Sequence, residues 1–376
     1  MAVPMLDLPK QYQALREEIR AEIDAVLDSQ QLVLLVGKPP PPQQGRLEKS
    51  LAAYCSCKQA ICCSSGTDAL LAAMMAMGIG AGDEVIVPAF TFFATAGSVV
   101  RLGARPVMVD IDPATFNIDP SAFAAAVTGR TKAVIPVHLY GQLAEMETIC
   151  RIAGQHGVLV LEDAAQAIGA TRHGRPAGAW GAAGTISFYP TKNLSALGDA
   201  GMIVSNDEAL AAVIRTLIIH GDTGGYNHVR IGGNFRMDEI QAAALNVKFK
   251  HLQSWHQARR RHAAIYDRLL AGVEGVQTHF IAPGNVSIYY QYVIRAQRRD
   301  ELAAHLRARQ IGCAIYYPGG LHEQPCFADL GYKRGQFPQT ERAAKEVLAL
   351  PICPEISDEQ VQEVAEAVRQ FYGCQP

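Results

Sequence analysis

Lys192 sits in the segment SFYPTKNLSALGDAG (Ser187–Gly201), among apolar, aromatic and glycine residues, with no acidic neighbour before Asp199. A lysine is rarely buried without a partner, because its ammonium gives up hydration that apolar surroundings do not replace. Such an amine either runs its stem out to water or serves chemistry that needs it neutral, as a nucleophile or proton carrier. Three other stretches carry groups of matching use. SSGTDAL (Ser64–Leu70) puts Ser64, Ser65, Gly66 and Thr67 between a strand pattern and a helix pattern. That arrangement makes either a plain helix cap by Ser65 or Thr67, or an anion site in which glycine admits the anion to free amides. EDAAQA ends an apolar run with Glu162 and Asp163, and strand alternation turns the two carboxylates to opposite faces. One of them can meet a cation such as a protonated pyridine nitrogen, or Asp163 can cap the next helix. In PAFTFF, Phe90, Phe92 and Phe93 offer either core packing or, for Phe92, a ring to stack on a flat ligand. Ser187, five residues before Lys192, can add a hydroxyl to the same anion.

These groups act together only if the chain delivers them to one place. From residue 60 onward short Val/Ile/Leu-rich runs alternate with helical spacing: AICCSSG, DEVIVPAF, RPVMVDID, KAVIPVHLYG and VLVLEDAA are separated by segments such as TDALLAAMMAMGI. That rhythm predicts a parallel sheet covered on both faces. GTISFYPT and AGMIVSN follow each other with only a loop between, which predicts an antiparallel step near the end of the sheet. In open parallel sheets ligands bind beyond the carboxyl ends of the strands, where SSGTDAL, PAFTFF, VHLYGQ and EDAAQA all fall. Residues 237–270 read as a long helical bridge, and the remainder as a smaller α+β unit. We expect a large α/β domain over 1–250, with an N-terminal helix and a Pro-rich loop at 36–45, and a small domain over 251–376. Pro39–Pro42 exclude a helix interior or a central strand there.

Composition removes several function classes. The 376 residues are 49% hydrophobic with a formal charge of -2, so no global basic field recruits nucleic acid. The densest basic run, ARRRH at 258–262, reads as a solvated helix face. No apolar run approaches the ~20 residues of a membrane helix. The N-terminus turns amphipathic within a few residues, unlike a signal peptide. The nine cysteines include Cys55, Cys57, Cys62 and Cys63, whose spacing is not that of a zinc site. We expect a cytoplasmic protein with reduced, mostly core cysteines and no metal. There is no G-x-G-x-x-G and no G-K-[ST], so dinucleotide and nucleoside triphosphate binding have no support.

An anion cradle, a stacking ring, a carboxylate for a pyridinium and a lone amine are the parts that hold pyridoxal 5'-phosphate. The same motifs, with GDEVIVPAFTFFATA, VDIDPATFNIDP, PVHLYGQ, SFYPTKNL and NFRMDEIQAA, resemble the DegT/StrS-type sugar-nucleotide aminotransferases over almost the whole chain. The resemblance implies an aspartate-aminotransferase-like fold with a mostly parallel seven-stranded sheet. It makes Lys192 the lysine that binds the cofactor as an imine and shuttles its proton, and Asp163 the partner of the pyridine nitrogen. It gives Gln166 to the ring oxygen, Gly66, Thr67 and Ser187 to the phosphate, and Phe92 to stacking. Asn234 becomes a phosphate contact reaching over from a neighbouring subunit, so a homodimer with shared sites is implied. The reaction implied is ping-pong transamination through pyridoxamine phosphate, with glutamate as donor and a nucleotide-linked keto sugar as acceptor. Tyr317, His322 and Arg230 match or approach positions at the sugar. GGNFRMDEIQAAAL and YYQYVIR resemble members acting on 3-keto sugars, Arg230 being suited to a diphosphate or a uronate carboxylate.

The chain departs from that pattern in three places. LVLLVGKPPPPQQGRLEKS is longer than the family's usual loop, Ala200 stands where a glycine is usual in GDAG, and Tyr316 stands where a histidine is common. A 4-keto acceptor and a regulatory relative without turnover are the alternatives. A desulfurase is disfavoured by Phe92 at the stacking position, and a sugar dehydratase by Lys192 itself.

Overall fold

The computed structural model describes residues 3–374. Helices α1 (Leu8–Ser29) and α2 (Pro42–Tyr54) precede an alternating region. There β1 (Gln59–Cys63), α3 (Gly66–Ala76), β2 (Glu84–Pro88), α4 (Ala94–Arg101), β3 (Arg105–Val109) and α5 (Pro120–Ala126) succeed one another. Next come β4 (Thr131–Val134), α6 (Met146–His156) and β5 (Leu159–Asp163). Two-residue strands β6 (Thr171–Arg172) and β7 (Arg175–Pro176) make a small ribbon before β8 (Ala183–Ser187), β9 (Gly201–Ser205) and α7 (Glu208–Leu217). The main sheet has seven strands in the order β1-β9-β8-β5-β4-β2-β3. All its pairs are parallel except β1–β9 and β8–β9, the antiparallel step expected from GTISFYPT and AGMIVSN following each other with only a loop between. Because β9 runs against both neighbours, the carboxyl ends of β1, β2, β4, β5 and β8 share one edge. Every residue of β2 and β9 is buried, as a sheet covered on both faces requires.

The long helical stretch is two helices, α8 (Glu239–Phe249) and α9 (Leu252–Leu270). At the break the amides of Lys250 and His251 reach back three residues, to Val247 and Lys248, and the helix tightens and ends. Buried Leu15 and Ile19 of α1 pack on Ala244 and Val247 of α8. Beyond α9 the short strands β10 (Val276–Gln277) and β11 (Asn285–Val286) lead to β12 (Tyr292–Ala296), α10 (Arg299–Ala308), α11 (Pro338–Glu346), β13 (Val347–Leu350) and α12 (Asp358–Phe371). Strands β10-β12-β13 form a second, antiparallel sheet, whereas β11 joins the β6–β7 ribbon. A separate core joins Tyr292, Leu306, Leu348 and Val364, and it includes Val3, which bridges to Ile311.

Two expectations need correction. Pro42 is not loop but the first residue of α2, a position where proline's missing N–H costs nothing. The helix has no side-chain cap of its own; the amides of Gln43 and Gln44 donate to the buried carboxylate of Glu239, from the start of α8. The run 258–262 is not a solvated face either. Arg259 is buried, and its Nη1 donates to the carbonyls of Tyr289, Tyr290 and Ile352 at 3.1, 3.2 and 2.6 Å. Arg260 Nε donates to Ser287 O at 2.9 Å, and only Arg261, paired with Asp358, lies exposed.

Candidate active site

The shared edge of the sheet opens into a cavity of about 540 Å³. One wall comes from the loops after β1 (Ser65, Gly66, Thr67), β2 (Thr91, Phe92), β5 (Asp163, Gln166) and β8 (Ser187, Tyr189, Lys192). The opposite wall is irregular chain from the second half: Tyr290, Gln291, Tyr316 and Tyr317. Another cavity, of about 470 Å³ beside α5, holds none of these groups; its Arg172 is paired with Glu147 at 2.6 Å.

Ser65 caps α3, its Oγ accepting from Asp68 N at 3.0 Å. The next two residues, Gly66 and Thr67, are first-turn positions whose amides have no acceptor inside the helix. A Cβ on Gly66 would stand 2.8 Å from Ser187 Cβ, and one on Gly201 would stand 2.3 Å from the Ser65 carbonyl carbon. The cradle is therefore closed by backbone approach, and only glycine permits it at both positions. Ala200 tolerates its side chain, which is buried at the start of β9 while its carbonyl accepts from Phe188 N.

Alternation at the end of β5 separates the two carboxylates as expected. Glu162 turns away from the cavity and accepts from the amides of Gly178, Trp180 and Gly181, with His138 Nε2 at 2.9 Å. Asp163 lines the cavity and caps no helix. Its Oδ2 accepts from Thr95 Oγ1 at 2.8 Å and its Oδ1 from Ala165 N at 3.2 Å. Burial pushes the Asp163 carboxyl up, against the pull of those two hydrogen bonds and of the Lys192 and His138 charges. A buried acid held above its usual range at the floor of a cavity calls for a cation brought in by a ligand.

Lys192 Nζ lies 4.4 Å from the centre of the Tyr290 ring, a cation–π contact. Helix α8 holds the chain just beyond it: Gln241 Oε1 accepts from Leu197 N at 2.8 Å, and buried Lys248 Nζ donates to Ser195 Oγ at 3.1 Å. Burial pushes Lys248 down to about 8. Gln166 is fixed from both sides, its Oε1 accepting from Tyr140 N at 2.9 Å and its Nε2 donating to Tyr317 Oη at 3.1 Å. Phe92 is 56% exposed at the mouth, its ring centre 6.4 Å from that of Tyr317.

Lys192, Gly66, Thr67, Phe92, Asp163, Gln166, Ser187 and Tyr317 thus meet in one cavity. Of the other expected residues, His322 and Arg230 do not join them, and Asn234, expected to serve a neighbouring subunit, lies elsewhere. His322 is buried behind the wall, against the Phe337 ring, with Nε2 3.4 Å from Glu341 Oε1. Arg230 and Asn234 lie exposed, outside this chain's own cavity. Sequence reasoning missed Thr95 and Tyr290. Thr95 sits four residues after Thr91, on the same face of a turn, which is a readable signal. Tyr290 has no local signal, because a contact across the fold brings it to Lys192.

Fold and cavity together define an aminotransferase of the aspartate-aminotransferase-like, pyridoxal-phosphate class. The chain belongs to the DegT/DnrJ/EryC1/StrS aminotransferase family, which it matches over residues 13–369. It is 52% identical over 374 residues, 99% of each chain, to the "Pleiotropic regulatory protein" of Geobacillus stearothermophilus. It is 40% identical to the UDP-2-acetamido-2-deoxy-3-oxo-D-glucuronate aminotransferase of Pseudomonas aeruginosa, covering 97% of this chain and 99% of that one. The crystal structure of DesV from S. venezuelae in complex with a ketimine intermediate superposes with a TM-score of 0.96 at 40% identity, covering all of both chains. Among the described residues no helix is long and apolar enough to cross a membrane, and no His, Cys, Asp and Glu cluster could hold a metal.

Proposed function

We propose that the cavity binds pyridoxal 5'-phosphate at Lys192 and moves an amino group from glutamate to a 3-keto sugar carried on a nucleotide. The donor set fits the cofactor end by end. The amides of Gly66 and Thr67, with Ser187, suit its phosphate; Asp163 suits its ring nitrogen; Lys192 suits its aldehyde carbon. When bound, the cofactor supplies an electron sink for ionising a carbon–hydrogen bond next to nitrogen.

The chain's own residues do the rest. Asp163, buried at the cavity floor, would pair with a protonated ring nitrogen, and the low-dielectric surroundings would strengthen that attraction. Thr95 fixes which carboxylate oxygen is presented. With the cofactor bound, Lys192 Nζ would be the proton carrier, and the Tyr290 ring limits where that nitrogen can stand. Gln166 orients the Tyr317 hydroxyl, and Phe92 covers the cavity mouth. Arg230 and Asn234 serve a second copy of the chain in this reading. Their exposure supports it, as do Tyr226 and Ile231 beside them, 89% and 90% exposed. Tyr317 stands for the sugar contact; His322 can act only through the wall.

The observation that carries the reading is the meeting of Lys192, Asp163 and the closed Gly66 cradle in one cavity. A 3-keto acceptor is supported by the name of the Pseudomonas relative. The regulatory name of the Geobacillus relative favours a second reading, in which the fold acts in regulation without turnover. Adding glutamate to the yellow purified protein distinguishes them: a shift to the pyridoxamine spectrum supports transfer, and an unchanged spectrum removes it. A panel of UDP- and dTDP-linked 3-keto and 4-keto sugars then identifies the acceptor; product from 4-keto sugars alone overturns the 3-keto assignment.

A further inference from the structure

The segment Ser287–Tyr290 belongs to no main strand, yet each of its four carbonyls accepts a hydrogen bond from a side chain. Arg260 Nε holds Ser287 O at 2.9 Å, Asn193 Nδ2 holds Ile288 O at 3.1 Å, and Arg259 Nη1 holds Tyr289 O and Tyr290 O at 3.1 and 3.2 Å. Behind it, Gly141 O accepts from Ile288 N and Ser287 Oγ, both at 3.0 Å. A Cβ on Gly141, whose φ is +105°, would stand 2.8 Å from Tyr290 N. The segment is thus clamped between two arginines of α9 and a glycine, and one of its ties runs to Asn193, the neighbour of Lys192.

Arg259 is the costly member of this clamp. It is buried, and among the described residues no carboxylate lies within ion-pair distance of it: its hydrogen bonds all go to carbonyl oxygens, and the Glu355 carboxylate offsets its charge only from farther off. Burying a guanidinium without a counter-ion is unfavourable, and an apolar side chain would pack there more cheaply. What the charge secures is a fixed position for three carbonyls, two on the segment that ends in Tyr290 and one, Ile352 O, just past β13. We propose that Arg259 is a positioning residue: through the carbonyls of Tyr289 and Tyr290 it sets the Tyr290 ring against the Lys192 amine, and so sets where that amine meets the cofactor. All three bonds leave from the one nitrogen Nη1, with Nε unpartnered, so a lysine keeps the charge and the donors but not Nη1's position at the end of a rigid guanidinium.

This inference rests on Lys192 as the cofactor lysine, so the test begins there. Borohydride reduction of the wild-type holoenzyme and peptide mapping place the tag; a tag away from Lys192 removes both the functional reading and this inference. With the tag on Lys192, Arg259→Met, Arg259→Lys, Tyr290→Leu and the Arg259→Met/Tyr290→Leu pair are compared. The readouts are the pyridoxal phosphate dissociation constant, kcat and KM for glutamate, and Tm. Displacing the amine by a fraction of an ångström is expected to weaken cofactor binding or slow the glutamate half-reaction by roughly tenfold to a hundredfold in Arg259→Met. Arg259→Lys is expected to recover part of that loss. The double variant is expected to be no worse than Tyr290→Leu alone, because both act through one ring. A lowered Tm with unchanged cofactor affinity and kinetics overturns the proposal, and so do losses that simply multiply in the double variant. If Arg259→Met does not fold, Arg259→Lys and Arg260→Met carry the comparison, and wild-type cofactor affinity and kinetics in both overturn it equally.

Discussion

The two walls of the cavity are built by different means. Gly66, Asp163, Ser187 and Lys192 sit at or beside the ends of β1, β5 and β8, and main-chain ladders fix those ends before any side chain is considered. Tyr290, Gln291, Tyr316 and Tyr317 lie on irregular chain, and the stretch before Tyr290 is fixed by the side chains of Arg259, Arg260 and Asn193. A sheet edge therefore keeps its geometry when a surface residue changes, whereas the facing wall depends on single polar side chains distant in the sequence. Substitutions in the first wall should read out chemistry, and substitutions behind the second should read out geometry.

The largest test of that contrast is Lys192→Ala, expected to cut transamination about 10⁴-fold or more in single-turnover assays while leaving the fold's Tm close to wild type. A large drop in Tm instead would mean the sheet edge needs its chemistry to stand. Asp163→Asn should come next, with kcat/KM lowered about 10²–10³-fold, since under the proposed reading the cofactor's ring nitrogen would lose its carboxylate partner. Gly201→Ala probes the seam between β9 and the α3 cap: a Cβ placed 2.3 Å from the Ser65 carbonyl carbon pushes the strand away from the Ser65–Gly66 peptide. We expect about 1–3 kcal/mol less stability in urea unfolding and weaker phosphate binding to the apoprotein.

The smallest effect concerns α9 behind the second wall. Burial pushes His256 down to about 3, and both its ring nitrogens lack partners. An unfolded histidine takes a proton near pH 6.5 while the folded one stays neutral. Its contribution to stability is therefore complete above that pH and falls away as pH drops toward about 3. His256→Leu should flatten this acid limb, with a difference from wild type of about 1–2 kcal/mol at pH 5 in denaturant titrations. Parallel acid limbs in the two proteins would show that α9 answers to other groups.

How far the molecule could be read from its residues obeys the same division. The strand-to-loop motifs SSGTDAL, EDAAQA and SFYPTKNL announced the first wall, because apolar strand periodicity and the residues at its end are local signals. Even the antiparallel β9 was legible, because only a loop and no helical pattern separates it from β8. ARRRH misled because a run of cations with a helical period resembles a wet surface, while the acceptors that hold buried Arg259 and half-buried Arg260 are main-chain carbonyls far along the chain, at Ser287, Tyr289, Tyr290 and Ile352. Carbonyl acceptors leave no mark in a sequence. The end of α8 at Lys250 carries neither glycine nor proline, so nothing local announced it. Pro42 was misplaced for a different reason: a helix can open on proline, and its cap came from Glu239, in the far half of the chain.

Gly201 stands in register with Cys63 on one side and Ser187 on the other. The strand it opens is thus the keystone between the loop that suits an anion and the loop that bears the amine. Whatever shifts β9 therefore moves both loops together, and neither half of the cavity can be displaced alone through that strand.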